Sequence, residues 1–390
     1  MKTQRWMSTQ FFSFFLTWGI FLPYWSGWMI YTKGISVTEA SMIMSLGLLA
    51  RGISTLFAFP YLSQRFSSKT ILNIAGIGTL ISILCYIPAN SFASLLVVTI
   101  FIHLFYPTLM PALDSAASVL VQSNQIKHYG RSRQWGSIGF VTVGMVLTIF
   151  TGMFGDEVIY WALLLAILAF VCLGFMQAPA ILAKNPQVNK TEKGGLLQLL
   201  HIKHFSLVLT IVILLQGAHA TYYNYGYIFL QDIHAPIYLI GLIINIAVFA
   251  EIIFFSIADK SFQKFSVGSL LILSALGSTV RWILVFTFPN VIVFCFAQTL
   301  HAFSFAMGHY AFMKYLINNI PNAQIPKAQG MYSALALSWS TAVFTIFGGY
   351  LYDMEPRYAF IGMIVCTIPA MLIALVYRKM ELRKDILVSI

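Results

Sequence analysis

Charge is what this chain of 390 residues lacks: Asp, Glu, Lys and Arg together make up 9% of it, and only 12 residues are acidic. Soluble globular chains carry about a quarter charged residues. A water-soluble fold of this length could not hide a composition that is 59% hydrophobic. The mean hydropathy of +0.82 agrees, and it calls for a surface covered by lipid. Cysteine is scarce as well. Cys85, Cys172, Cys295 and Cys366 each sit inside an apolar run, without paired or CxxC spacing, so they are expected to pack rather than to form a disulfide or hold a metal. Also missing are a nucleotide-binding P-loop, a metal-ligand cluster and a nucleophile–base motif. No polar segment is large enough to hold an ATPase. An enzyme is therefore not expected, no cofactor is called for, and uphill work would have to draw on a gradient.

Long apolar runs are what the chain has. A bilayer core of about 30 Å needs roughly 20 apolar residues per helix. Runs between polar breaks predict spans near 9–31, 38–62, 70–88, 92–120, 134–153, 158–178, 205–230, 237–258, 266–288, 290–317, 328–351 and 357–377. The first, Phe11 to Tyr31, is too long for a signal-peptide core and has no small-x-small cleavage site, so it reads as a retained span. Twelve is an even number, which puts both termini on one side. Nineteen Lys and Arg residues fall in the segments of one face and two, Lys33 and Arg357, in those of the other, with Arg51 and Arg281 inside spans. The positive-inside rule makes the richer face, and both termini, cytoplasmic. The net charge of +11 is spread over short loops, which argues against a nucleic-acid surface.

Only one connection is long and polar. It predicts a six-span half over 1–178, a cytoplasmic linker over 179–204 and a second half over 205–390. Internal echoes support a repeat: Ala50-Arg51 with Arg65-Phe66-Ser67 against Ala250-Glu251 with Lys264-Phe265-Ser266, and His103-x-Phe105 against His301-x-Phe303. Two similar halves around a midplane site suit a transporter, whereas a channel or a membrane enzyme does not need them.

Charges within spans insert at a cost of roughly 2.5–3.5 kcal/mol, so each invites a functional reading. Asp114 follows Pro107 and Pro111 in the fourth span, where the prolines free backbone carbonyls and bend the helix. Pairing with a loop cation is the plainer alternative. Glu251 is the one charge in Gly241–Ser256 and is the first choice as a proton carrier, against a structural ion pair. Arg281 must pair, snorkel or face water, and Arg51 is in the same position. His219, His301 and His309 are intramembrane too, where a buried neutral His is the commoner outcome. His301 and His309 lie roughly on one helix face, which marks His301 as a proton or substrate ligand. The first and seventh spans are aromatic: Trp18, Tyr24, Trp25 and Trp28, then Tyr222, Tyr223, Tyr225 and Tyr227. Trp28 and Tyr227 are expected in an interfacial belt. The others, beside Gln216, His219 and Asn224, can stack on a ring and hydrogen-bond its substituents.

Four stretches resemble the major facilitator superfamily and, within it, the proton symporters of the lactose permease type. They are Pro111-Ala-Leu-Asp114; Tyr129-Gly-Arg-Ser-Arg133-Gln-Trp135-Gly136-Ser-Ile-Gly139-Phe140; Ser278-Thr-Val-Arg281; and Thr299-Leu-His301 with Lys314-Tyr315. The resemblance implies substrate binding by Asp114 and Arg133, substrate and proton roles for His301, assistance from Arg281, and Phe140 where that family stacks a Trp on its sugar. The sequence departs from the family at Gln298 and Ser304, which stand where a Lys and an acid are usual, at Glu251, displaced by about one helical turn, and at Gln64, which replaces an Asp. The run Gly19-Ile-Phe-Leu-Pro23-x-Trp25-Ser26-x-Trp28, Gln216-Gly-Ala-His219-Ala-x-Tyr222-Tyr223, Val248-x-Ala250-Glu251 and Arg281-Trp282 are similar to the bacterial phenylpropionate permeases over nearly the full length.

The expectation is thus an all-α integral membrane protein of twelve helices in two pseudo-repeated halves, a monomer in a bacterial inner membrane. Its partners would be lipid, protons and a small solute, most simply an aromatic carboxylate taken up by symport. Proton coupling falls on Glu251, Asp114, His301 and Arg281. Substrate binding falls on Arg133, Asp114, Arg51, Phe140, Trp25, Gln216, His219, Tyr222, Tyr223 and Asn224. A sugar or nucleoside symporter, a drug-type antiporter and a membrane sensor without transport are the alternatives.

Overall fold

The computed structural model describes residues 2–126, 129–176, 178–183, 196–321 and 324–388, and every regular element among them is helical. Among the described residues eleven segments are long and apolar enough to cross a membrane. With the first helix they are α1 (Lys2–Lys33), α2 (Val37–Arg65), α3 (Ser68–Cys85), α4 (Phe92–Gln122), α5 (Ser132–Phe154), α6 (Glu157–Phe175), α7 (Phe205–Asp232), α8 (Ile237–Ala258), α9 (Val267–Thr287), α10 (Val291–Asn319), α11 (Lys327–Met354) and α12 (Tyr358–Leu382). α1 stands outside the eleven. Its 32 residues are ample length at about 1.5 Å each, but its Gln, Thr, Ser, Trp and Tyr residues dilute the apolar run. It also begins earlier than the expected 9–31, because polar residues ahead of that run continue the helix.

Short polar residues start the helices where the sequence leaves the membrane. Ser36 and Glu39 form a capping box at α2, Ser67 accepts from Thr70 N–H at α3, Ser91 and Ser94 cap α4, Ser266 caps α9 and Asn290 caps α10. Gly34 and Gly155 take positive φ in two of the turns. Of the cations expected on the inner face, Lys127, Lys184, Lys190 and Lys193 lie outside the described residues, as does 184–195 of the expected linker.

The chain clusters into two compact units, Met1–Thr191 with Pro236–Leu242, and Glu192–Ala235 with Ile243–Ile390. In the first, α1 packs along α5 and α6, and α2 along α4. Two glycines permit these approaches. A Cβ on Gly19 would lie 2.6 Å from Val143 Cγ1, and one on Gly47 would lie 2.6 Å from His103 Nδ1. Aromatic rings fill the space between: Trp25 stacks on Trp28 at 4.4 Å, Trp28 on Tyr160 at 5.5 Å, and Tyr86 meets Trp25 edge-on at 4.9 Å. Trp28 and Tyr227 are buried, which corrects their expected place in an interfacial belt. The content of aromatics was legible; which rings would pack inward depended on neighbours far along the chain.

In the second unit α12 packs against α9 and α7, around an aliphatic and aromatic core that includes Phe205, Leu215, Leu270 and Phe312. Five helices are interrupted near their middles. α2 and α10 widen to π-helix at Ser54–Ala58 and Ala302–Met307, and α11 does so at Tyr332–Trp339. α4 tightens to a 3₁₀ turn at Tyr106–Thr108, where Pro107 removes a donor. α7 breaks between Gly217 and Ala220. Such interruptions free backbone groups and recur at functional positions.

Candidate functional site

The break in α7 and the π stretch in α10 bring the polar residues of the second unit together. Arg281 of α9 is 1% exposed. It neither snorkels nor meets water. Its guanidinium lies between the rings of Tyr222 and Trp282, at 4.6 and 4.5 Å from their centroids. Its edge donates to three neutral acceptors on α10: Gln298 Oε1 at 2.5 Å, His301 Nδ1 at 2.9 Å and Ser304 Oγ at 3.2 Å. Gln298 Nε2 in turn donates to Tyr222 OH at 3.0 Å.

These contacts fix proton positions by elimination. A guanidinium has only donors, so His301 Nδ1 must accept, and the neutral ring carries its hydrogen on Nε2. That nitrogen lies 3.9 Å from Glu251 Oε2 of α8, too far for a direct hydrogen bond but close enough for charge to matter. Glu251 is the most open member of the group, its side chain 29% exposed. On the other side, His219 Nδ1 faces the Leu215 carbonyl at 2.9 Å and must be the protonated nitrogen. Its Nε2 then accepts from Ser304 Oγ at 3.0 Å, while Ser304 Oγ accepts from Arg281. A directed chain runs from Arg281 through Ser304 and His219 to a carbonyl at the end of the broken helix.

Rings line the group. Tyr223 stacks on His219 at 5.8 Å, and His301 stacks on Phe305 at 5.0 Å and 7°. Phe305 stacks in turn on His309 at 6.3 Å, and His309 Nδ1 meets Tyr332 OH at 3.2 Å. Gln216 is buried immediately before the break. Asn224 is tied into the fold, donating to the Ala220 carbonyl and to Thr345 Oγ1, both at 2.9 Å. The structure therefore brings together Glu251, Arg281, His301, His219, Tyr222 and Tyr223, and adds Gln298 and Ser304, which were not among the expected site residues. The signal for those two was present as departures from the lactose permease pattern: an amide in place of a Lys gives Arg281 an acceptor, and a hydroxyl in place of an acid gives it a neutral one.

The expected residues of the first unit are more dispersed. Arg133 of α5 lies over the Phe15 ring at 4.1 Å and near Phe11 at 5.8 Å. Arg51 of α2 lies over Trp18 at 5.1 Å, and Trp18 neighbours Tyr106, whose hydroxyl meets Thr17 Oγ1 at 2.7 Å. Asp114 and Phe140 are half-buried on α4 and α5. Trp25 is fully enclosed in the aromatic packing. Among the described residues no group of three His, Cys, Asp or Glu side chains could hold a metal.

Residues 4–362 match the MFS_1 like family. The chain belongs to that family. This MFS_1 like protein is 30% identical over 373 residues to a probable 3-phenylpropionic acid transporter of Escherichia coli (strain K12), across 95% of this chain and 97% of the relative. It is 26% identical over 304 residues to the maltose permease of Geobacillus stearothermophilus, across 76% and 74%. In three dimensions it resembles the nucleoside transporter NupG, with a TM-score of 0.77 over 98% of this chain and 99% of that one at 15% identity. A POT family transporter gives 0.74 over 97% and 95% at 12% identity. The fold is the major facilitator fold, and the protein is a multi-pass membrane transporter rather than an enzyme.

Proposed function

We propose that this transporter imports a small aromatic carboxylate, 3-phenylpropionate or a close analogue, together with a proton, by alternating access of a six-helix half over 1–178 and another over 205–390 joined by a cytoplasmic linker. The observation that carries the reading is the string Glu251–His301–Arg281, a carboxylate and a buried guanidinium joined by an imidazole of one tautomer. A carboxylate near the mouth of such a group can take a proton and pass its electrostatic consequence inward. Glu251 is the first proton carrier, with Asp114 and His301 behind it and Arg281 assisting. The solute's anion would meet Arg133, Arg51 or Arg281, and its ring would lie against Tyr222, Tyr223 or Phe140, near His219 and Gln216. Trp25 and Asn224 would act at one remove. The likeness to the E. coli transporter supports the substrate class.

A sugar or nucleoside symporter is the second reading, favoured by the maltose permease relative. Asp114 and Arg133 suit hydroxyl-rich ligands as well as an anion. Uptake of labelled 3-phenylpropionate, disaccharides and nucleosides by vesicles with an imposed pH gradient tests both. Gradient-driven accumulation of the aromatic acid is expected, and accumulation of a disaccharide or nucleoside alone would replace it with the second reading. Both termini are proposed to be cytoplasmic in the inner membrane of a bacterium, with the protein a monomer. Reporter fusions that place the linker outside would overturn the orientation.

A further inference from the structure

Arg281 presents a problem that the proposed function leaves open. It is the largest buried cation of the second unit, yet it makes no ion pair with a carboxylate among the described residues. All three of its acceptors are neutral, and its Nε has no hydrogen-bond partner. A buried guanidinium held only by neutral groups is strongly unfavourable unless an anion reaches it or its charge is offset nearby. Glu251 supplies the offset at one remove, on the far side of the His301 ring.

We infer that Arg281 is the seat of the solute's carboxylate, and that protonation of Glu251 is what makes the seat available. The inference rests on the proposed aromatic-carboxylate reading. With Glu251 ionised, two effects keep a second anion away: the offset of the Arg281 charge through His301, and direct repulsion of a carboxylate arriving past the most open residue of the group. With Glu251 protonated, both effects vanish. The Arg281 charge is then left without a counterion in a low-dielectric site, and a carboxylate accepting the guanidinium's hydrogen bonds restores neutrality. The carboxylate would take the unpartnered Nε together with its neighbouring Nη, in the two-pronged geometry that guanidinium prefers, and would leave the bond to His301 Nδ1 in place. The flanking Tyr222 and Trp282 rings, against the guanidinium faces, offer the apolar walls that a phenyl group needs.

Arg133 and Arg51 are weaker candidates on the same criteria. Both are only partly buried, and each lies against an aromatic ring of its own unit. The other titratable groups facing the seat are His219, Tyr222 and Tyr223 from α7, His301 from α10 and Tyr332 from α11. His301 cannot gain a second proton while Arg281 donates to its Nδ1, which leaves Glu251 as the group whose protonation changes the charge without dismantling the site.

By linkage, if protonation favours the anion, then the anion favours protonation. The purified transporter in nanodiscs, titrated with 3-phenylpropionate and with its neutral amide, is expected to bind the acid about tenfold or more tightly on going from mildly alkaline to mildly acidic pH, equivalent to about 1.4 kcal/mol. The solute itself stays ionised there, since a carboxyl of this type titrates near 4.3. Binding of the acid should take up about one proton per molecule bound, and binding of the amide none. In Glu251→Gln the acid should bind at alkaline pH with the affinity that the unmodified protein shows at acidic pH, without proton uptake. In Arg281→Gln the preference for acid over amide should vanish.

A Glu251→Gln protein that retains the pH dependence, or an Arg281→Gln protein that retains the preference for the acid, overturns the inference and sends the anion to Arg133 or Arg51. Should either variant fail to fold, proton uptake by the unmodified protein decides alone, and its absence overturns the inference. An unmodified protein that binds neither acid nor amide, but binds a sugar or a nucleoside, removes the substrate reading first and the inference with it.

Discussion

His103 and His301 occupy echoing places in the two units, each just ahead of an interruption in its helix, and they live in different chemistries. His103 Nδ1 meets the Thr99 carbonyl of its own helix at 2.8 Å, and its ring packs against Phe21 and the open face of Gly47. His301 receives a hydrogen bond from a buried cation and faces a carboxylate. Arg51 and Glu251 make the same contrast, a cation over a Trp ring in one unit and an acid opposite an imidazole in the other. The first unit spends its interior on stacked rings, the second on a directed polar chain. A repeat of architecture therefore does not imply a repeat of function, and whatever couples protons to solute is expected to be concentrated in one unit.

The largest effect that would break this comparison is on coupling itself. Glu251→Gln is expected to abolish uphill uptake against a proton gradient while leaving counterflow exchange at least partly intact, because the cavity survives without the gradient's input. Uphill uptake that persists in this variant would make the second unit's chain structural. Next comes stability. Trp25→Ala should destabilise the protein by about 3–5 kcal/mol, the usual range for truncating a fully buried aromatic. It should lower the thermal unfolding midpoint in detergent without changing the proton-to-solute ratio of what remains folded. A smaller effect is expected at Gln298. Replacement by Leu leaves one Arg281 Nη without its acceptor and should cost about 1.5–3 kcal/mol, read from the same unfolding assay. Smallest of all, His103→Gln should leave proton-driven accumulation as it was, since the side chain touches packing and its own helix. A loss of coupling there equal to that in His301→Gln would show that the echo is functional after all.

Much of this molecule is legible in its sequence, for reasons particular to membranes. Twelve helices follow from apolar run length, since lipid leaves no other way to satisfy a spanning backbone. Glu251, Arg281 and His301 stand out because charge inside an apolar run has to be held by something. What cannot be read along the chain is who holds it. Gln298 and Ser304 are ordinary polar residues of α10, and only the crossing of α7, α9 and α10 turns them into the acceptors of Arg281. Trp28 and Tyr227 failed for the complementary reason. A ring suited to an interface is equally suited to a core, and the choice is made by partners such as Tyr160, more than a hundred residues away from Trp28 in the chain.

The widened stretch at Ala302–Met307 has a consequence for how α10 is inherited. A π segment amounts to one residue more than the turn requires, so deleting any one residue within it would restore a plain α-helix without breaking the chain. That edit would leave the two ends of α10 close to their present orientation, because the widened turn already takes up the extra residue. His309 would go on facing Tyr332, and His301 would go on facing Arg281. A single codon could thus be lost from this stretch without turning one end of the helix against the other.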